Sequence, residues 1–261
     1  AKFLAANGKR ELILVSQEAT LYGYDLPQRP HVVDLLEALS EIDGIEWLRL
    51  MYLYPGKLDD RLIEYMCADN KTLPYFDLPL QHVNTKLLAK MRRQVDKPTI
   101  EALLRQIRAA GTKTALRTTF IVGFPGESDE HFEELKAFVA TWRFDRMGVF
   151  PYSAEEGTPA ASMDGQIPED VKQARCDELM ALQQEIALET NAAMVGRTLE
   201  VLVDETRDDG VAVARSWADC PEIDQEVLIR GEKLEVGRFY PVRVEAVEGY
   251  DLIASQAGEG R

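Results

Sequence analysis

Residues Ala115–Trp142, ALRTTFIVGFPGESDEHFEELKAFVATW, decide the fold. Ala115–Val122 is apolar enough to be a buried strand. Gly123, Pro125 and Gly126 then make a tight turn, where glycine lets the backbone approach a neighbour or ligand closely. Ser128 can cap a helix, and Asp129 and Glu130 favour its positive end. From there Phe132, Leu135, Phe138, Val139 and Trp142 share one helical face. Strand, glycine turn and amphipathic helix make one βα unit.

The same alternation extends in both directions. Strands are expected at Glu11–Ser16, Trp47–Leu53, Tyr75–Leu78 and Arg146–Phe150. Helical patterns fall at Val32–Leu39, Asp59–Ala68 and Thr99–Ala110, the last stopping at Gly111, a helix C-terminal signal. Repeated βα units imply a parallel sheet covered by helices, with ligands at the C-terminal ends of the strands. After Pro168 the pattern changes. Glu169–Val195 reads as one long helix that Gly196 ends. Short β runs follow at Leu199–Val203, Val211–Arg215, Glu226–Ile229, Tyr240–Val247 and Asp251–Ser255, separated by turns such as Asp209-Gly210. They suggest a small antiparallel barrel. No internal repeat or low-complexity segment occurs.

Composition narrows the function classes. A chain of 261 residues has room for one large domain and a small one. Its apolar stretches are strand-sized, far below the roughly 20 residues of a membrane span. It has no signal-peptide layout, so a cytoplasmic protein is expected. The net charge of −15 suits a basic protein partner better than bare nucleic acid; its plain alternative is solubility alone. Cys67, Cys176 and Cys220 form no CxxC or other metal-ligand spacing, and free thiols in a reducing cytosol are expected. The chain starts on Ala1 and runs almost at once into an apolar strand, as an internal cut would, although a processed start reads equally well.

Several segments can carry chemistry. The turn at VGFPGE, Val122–Glu127, suits an anionic group at a helix N-terminus, although many α/β proteins keep glycine there for turn geometry. Asp77–His82, DLPLQH, brings Gln81 and His82 to a strand's C-terminal mouth, where a lone histidine more often caps a loop. Gln17–Gly23, QEATLYG, is a polar βα loop. Met91-Arg92-Arg93 closes a helical pattern, most simply as a solvated end. Arg117 lies inside an apolar strand, so a buried anion partner is expected.

Singly these signals are modest, but their order and spacing are specific. QEATLYG, RLMYLYP (Arg49–Pro55), FDLPLQH (Phe76–His82), LLAKMRR (Leu87–Arg93), LRTTFIVGFPGE (Leu116–Glu127) and DRMGVFPYSAEEGTPA (Asp145–Ala160) together resemble the RimO-type radical-SAM methylthiotransferases over essentially the whole chain. PLQH and Tyr52–Pro55 follow that branch rather than the tRNA-modifying MiaB branch. Glu18-Ala19 departs from the family's usual Asp-Thr, which puts any role of that hydroxyl in doubt. The family's CxxxCxxC loop and the cysteines of its earlier N-terminal domain have no counterpart here, and Glu11–Ser16 matches the second strand of the family's barrel.

The resemblance implies an α/β fold: a partial radical-SAM (β/α)6 TIM-like open barrel over residues 1–167, a connecting helix over 168–195 and a TRAM-like β-barrel over 196–261. It implies the C-terminal part of an enzyme that adds a methylthio group to the β-carbon of an aspartate in small-subunit ribosomal protein twelve. The implied cofactors are S-adenosyl-L-methionine (SAM) and two 4Fe-4S clusters whose ligands this chain does not hold, so it is expected to be inactive alone. No catalytic or metal-binding residue is assigned. The implied SAM-binding residues are Gln17, Glu18, Gln81, His82, Arg93, Arg117, Gly123, Gly126 and Glu127. Residues 196–261 carry 8 Lys and Arg against 15 Asp and Glu, a net of −7. That favours the basic ribosomal protein as partner over RNA, with an electron donor besides. The competing readings are a MiaB-type tRNA methylthiotransferase and a non-catalytic protein-binding module derived from this fold.

Overall fold

The computed structural model describes residues 1–111, 113–231 and 233–261. A short helix α1 (Lys2–Ala6) leads into strand β1 (Glu11–Leu14). Then come α2 (Val32–Ser40), β2 (Trp47–Leu50), α3 (Asp60–Cys67), β3 (Tyr75–Gln81), α4 (Thr85–Lys90), α5 (Lys97–Ala110), β4 (Ala115–Val122), α6 (Asp129–Trp142) and β5 (Arg146–Pro151). Side chains start five of these helices, α2 through His31, whose Nδ1 accepts Val33 N. Asp59, Asn84, Asp96 and Ser128 each accept a backbone N–H that the first turn would otherwise leave free.

All the strand pairs of this part are parallel: β1 with β2, β3 with β4, and β4 with β5. The two groups join through a parallel bridge at Leu48–Thr72 and the bond from Leu53 N to Asp77 O. One sheet face packs on the helices through Leu48, Leu50, Phe76, Leu78, Leu116 and Phe120, all essentially inaccessible to water. Burying a side chain of this size contributes about 1.5–3 kcal/mol, so this layer holds the helices to the sheet.

Strand ends in the sheet differ from expectation: β1 stops at Leu14 rather than Ser16, β5 runs on to Pro151, and two others shift by three residues. β2 stops at Leu50 because Tyr52 takes a left-handed φ of +57°, which breaks the ladder. β3 continues to Gln81 despite Pro79, because the pairing with β4 shifts register between Leu78 and Gln81 and frees Pro79 from donating. Helix ends differ as well. Gly111 ends α5 in extended backbone, φ −159°, rather than in the left-handed cap. The long helix α7 spans Glu169–Ala192, stopping short of Val195. It lies on the sheet through Leu179 and Ile186, and its Gln183 donates to Phe144 O.

Beyond α7 come β6 (Thr198–Thr206), β7 (Ala212–Ser216), β8 (Val227–Ile229), β9 (Phe239–Glu248) and β10 (Asp251–Gln256). They close into a barrel in the order β10-β8-β7-β6-β9. The expected all-antiparallel barrel needs one correction, since β8 and β10 pair in parallel. Five strands cannot alternate in direction around a closed ring, so one pairing must be parallel.

This barrel docks on the other face of the sheet. Trp47, Met51, Tyr75 and Ala115 meet Leu202, Cys220 and Phe239, and Trp47 stands edge-on to Phe239 at 4.8 Å. Charges follow the apolar contact inward. Arg49 donates to Glu11 at 2.8 Å and to Trp217 O, and it stacks on the Tyr75 ring. Arg215 pairs with Glu11 and Asp204. Arg146 pairs with Asp219, which also accepts from Ser216.

Cys220 reports on this interface, because burial pushes its thiol up to about 11. Native protein is expected to resist alkylation at Cys220 near pH 8. Asp219→Ala strips Arg146 of its buried partner and should make Cys220 react at least several-fold faster. Mass mapping of alkylated peptides measures both rates.

Candidate functional site

The C-terminal ends of the strands enclose a cleft of about 480 Å³. Its walls come from the loop after β1 (Gln17, Glu18), the segment after β2 (Tyr52, Leu53, Tyr54), β3 (Pro79, Gln81), the loop after α4 (Arg93), β4 (Arg117, Thr119) and β5 (Phe150). Ile223 reaches it from the C-terminal barrel.

Two non-glycine residues with left-handed backbone, Tyr52 and Gln81, line this cleft, with φ of +57° and +68°. Such conformations persist where surrounding bonds over-determine them, and they cluster at functional sites. Here Asp77 supplies such a bond by accepting Tyr52 N at 3.0 Å. The register shift after Leu78 supplies the other constraint, turning Gln81 out of the ladder.

The charges of the cleft are held firmly. Arg117 donates to Asp77 at 2.9 Å and to Asp224 at 3.4 Å. Burial works to lower its pKa, but Asp77, Tyr75 and Asp224 more than offset that. Arg93 donates to Pro79 O and stacks on the Tyr54 ring. Burial holds its pKa below the usual guanidinium value, against the pull of Tyr54 and Glu18. Among the described residues, Arg93 Nε and Gln81 Oε1 are buried without a hydrogen-bond partner. One is a donor and the other an acceptor, and unpaired buried groups of this kind are costly. A bound ligand with both kinds of group would satisfy them.

A second pocket of about 390 Å³ shares Gln81 and Arg93 with the cleft. Met91, Ile121, Phe124, Tyr152 and Met163 make it mostly apolar. The two spaces together offer a charged end and an apolar slot.

Of the nine residues expected from the sequence, Gln17, Glu18, Gln81, Arg93 and Arg117 meet in this cleft. His82, Gly123, Gly126 and Glu127 line neither space; His82, Gly123 and Glu127 form a buried cluster, with the half-buried Gly126 next to Glu127 in the chain. Glu127 accepts from Gly123 N at 3.0 Å and from Arg175 at 2.7 Å. His82 Nε2 lies 3.6 Å from the same carboxylate. Its Nδ1 accepts from Val83 N and Asn84 N, so the ring proton belongs on Nε2, facing Glu127. Gly123 has φ +73°, and a Cβ there would fall 2.3 Å from Lys172 Cγ. Gly126 donates its N–H to Gly165 O. This cluster fastens the turn after β4 to α7.

Sequence reasoning missed Tyr52, Tyr54, Thr119, Phe150 and Ile223 in the cleft. It also missed Asp77 and Glu11 as partners of buried arginines. A signal for the latter was present: ELIL, WLRL, YFDL and ALRTTF each hold one charge inside an apolar strand.

A family model of the radical SAM superfamily matches residues 1–139, more than half of the chain. The chain belongs to the radical SAM superfamily. A TRAM domain model matches residues 195–256, the closed barrel. Ribosomal protein uS12 methylthiotransferase RimO of Lachnoclostridium phytofermentans is 43% identical over 257 residues, covering 98% of this chain and 58% of that protein. The protein of the same description from Aquifex aeolicus is 44% identical over 255 residues, covering 97% and 59%. The chain thus spans under three-fifths of the length of these curated relatives. Among solved structures, coproporphyrinogen III oxidase (HemN) from Escherichia coli superposes with a TM-score of 0.51 at 16% identity, over 83% of this chain and 52% of its own. That likeness concerns the fold alone.

Radical SAM proteins work with SAM and a 4Fe-4S cluster. The cleft residues fit SAM, with carboxylate and guanidinium groups at one end, an apolar slot at the other and orphaned polar atoms between. The described residues do not fit a cluster. They include no group of three or more His, Cys, Asp or Glu side chains placed to hold a metal ion, and the three cysteines are free.

Glu127→Gln is expected to destabilise the chain by about 2 kcal/mol, because it leaves the buried Arg175 with only the exposed Asp129 carboxylate as counter-charge. Gly123→Ala should lose about 1–3 kcal/mol through the left-handed backbone alone. Urea unfolding followed by circular dichroism reads both.

Proposed function

We propose that this chain is the C-terminal part of a ribosomal protein uS12 methylthiotransferase, dividing into a partial barrel over 1–167, a connecting helix over 168–195 and a TRAM barrel over 196–261. The carrying observation is 43% identity to such an enzyme across 98% of the chain. The cleft supports it, since five expected SAM-binding residues converge there.

Bound SAM would supply the radical chemistry of the superfamily. The residues of this chain hold and orient it. Arg117 offers a fixed positive charge for a carboxylate, and Glu18 a negative one for an ammonium group. Arg93 Nε and Gln81 Oε1 complete the polar contacts of the nucleoside. The neighbouring apolar pocket receives the base and excludes water. The buried cluster of His82, Gly123 and Glu127, with Gly126 beside it in the turn, supports that wall. The clusters and the electron donor belong to the complete enzyme.

The C-terminal barrel is the docking surface for the protein substrate. Its net charge of −7 over residues 196–261 opposes phosphate and attracts a basic ribosomal protein. The MiaB-type reading loses ground on that charge and on the relatives above.

Three outcomes are expected. In equilibrium dialysis with labelled SAM, Arg93→Met should bind about tenfold more weakly, the loss of one charge-assisted hydrogen bond. In a salt-titrated pull-down, the chain should retain small-subunit ribosomal protein twelve and release it as salt rises; preferential capture of tRNA would reverse the assignment. The complete enzyme, reduced anaerobically, should place one methylthio group on an aspartate of that protein, read by peptide mass.

A further inference from the structure

The loop that enters the cleft from the C-terminal barrel is built rather than incidental. Asp224 is its anchor. Its Oδ2 accepts the Tyr75 hydroxyl at 2.6 Å and Cys220 N at 2.9 Å, and Asp224 N donates back to Cys220 O. Its Oδ1 accepts Arg117 Nε at 3.4 Å. Asp219, in the same loop, is wholly buried against Arg146. The side chain next to Asp224, Ile223, is half exposed and lines the cleft.

The geometry defines what this does to Arg117. Asp77 takes Nη1 and Asp224 takes Nε. Among the described residues, no hydrogen bond is made by Nη2. Arg117 keeps 15% of its side chain exposed, in the cleft wall. A guanidinium is a flat fork of donors. Held at two of its three nitrogens by two carboxylates, it cannot rotate, and its third nitrogen has one direction left.

We propose that Asp224 of the C-terminal barrel is a positioning residue for the cleft: with Asp77 it clamps Arg117 so that Nη2 faces the anionic end of the ligand. The TRAM barrel thereby forms part of the cofactor site in addition to any docking of substrate. This rests on the cleft being the SAM site, and the test separates the two claims.

Asp224→Asn keeps an acceptor for Tyr75 and Cys220 N but removes the charge that holds Arg117. Tyr75→Phe leaves Arg117 untouched and loosens Asp224. Two readouts apply to the 261-residue chain. The first is the Arg117 Nε–H resonance, assigned by its loss in Arg117→Lys. It should be protected from solvent exchange in the parent chain, fast-exchanging in Asp224→Asn and intermediate in Tyr75→Phe. The second is affinity for labelled SAM, which should fall about tenfold in Asp224→Asn at an unchanged circular dichroism spectrum, the size of one misplaced charge-assisted bond. Full SAM affinity in Asp224→Asn, alongside lost affinity in Arg117→Ala, would overturn the proposal. So would an unprotected Arg117 Nε–H in the parent chain. If the parent chain captures no SAM, the SAM assignment of the cleft fails, and the resonance alone decides whether Asp224 clamps Arg117.

Discussion

Each strand of the parallel sheet carries one charge toward the C-terminal barrel: Glu11, Arg49, Asp77, Arg117 and Arg146. An unpaired buried charge is among the costliest things a fold can contain. The strands satisfy part of the set among themselves, through Glu11 with Arg49 and Asp77 with Arg117. The rest comes from the far end of the chain, where Asp219 and Asp224 meet Arg146 and Arg117, and Arg215 meets Glu11. The apolar contact of Trp47 and Phe239 brings the two parts together, and the charges decide in which register they meet. Apolar surfaces slide at little cost; a set of paired charges does not.

The cleft is an extension of the same network. Asp77 belongs to both, since one oxygen accepts Arg117 and the other accepts the N–H of Tyr52. The strained backbone at Tyr52 therefore leans on the buried ion pairs beneath it. On the outer side, Glu127 ties the glycine turn after β4 to α7 through Arg175. The strand ends are thus fixed from two directions, which leaves the polar atoms of Gln81 and Arg93 pointing into a space of defined shape.

Much of this architecture was legible in the sequence, because periodicity reports burial. The helix stripe from Phe132 to Trp142, the apolar strand at Ala115–Val122 and the change of pattern after Pro168 follow from which faces must avoid water. Strand ends were less legible. Local pattern does not reveal that Tyr52 turns left-handed or that the pairing slips around Pro79; both are set by neighbours distant in sequence. The parallel β8–β10 pair follows from closure of an odd ring, which no single segment records. Within the site, Arg117 announced itself as a charge in an apolar strand. Its partner Asp224 did not, since an aspartate in a polar loop looks like a solvated turn until the fold buries it.

The order in which the chain is made gives that last contact a further meaning. Polypeptides leave the ribosome N-terminus first, at roughly 5–20 residues per second, and domains usually fold as they emerge. Here Arg49 and Arg146 precede Trp217 and Asp219, and Arg117 precedes Asp224. A nascent sheet therefore waits, on the order of ten seconds, with Arg146 still lacking Asp219 and with Arg49 and Arg117 paired only to Glu11 and Asp77. Its helices can assemble meanwhile, but its interior can mature only when residues 196–261 arrive. Termination before residues 196–261 are made would leave an open, charged shell for chaperones and proteases.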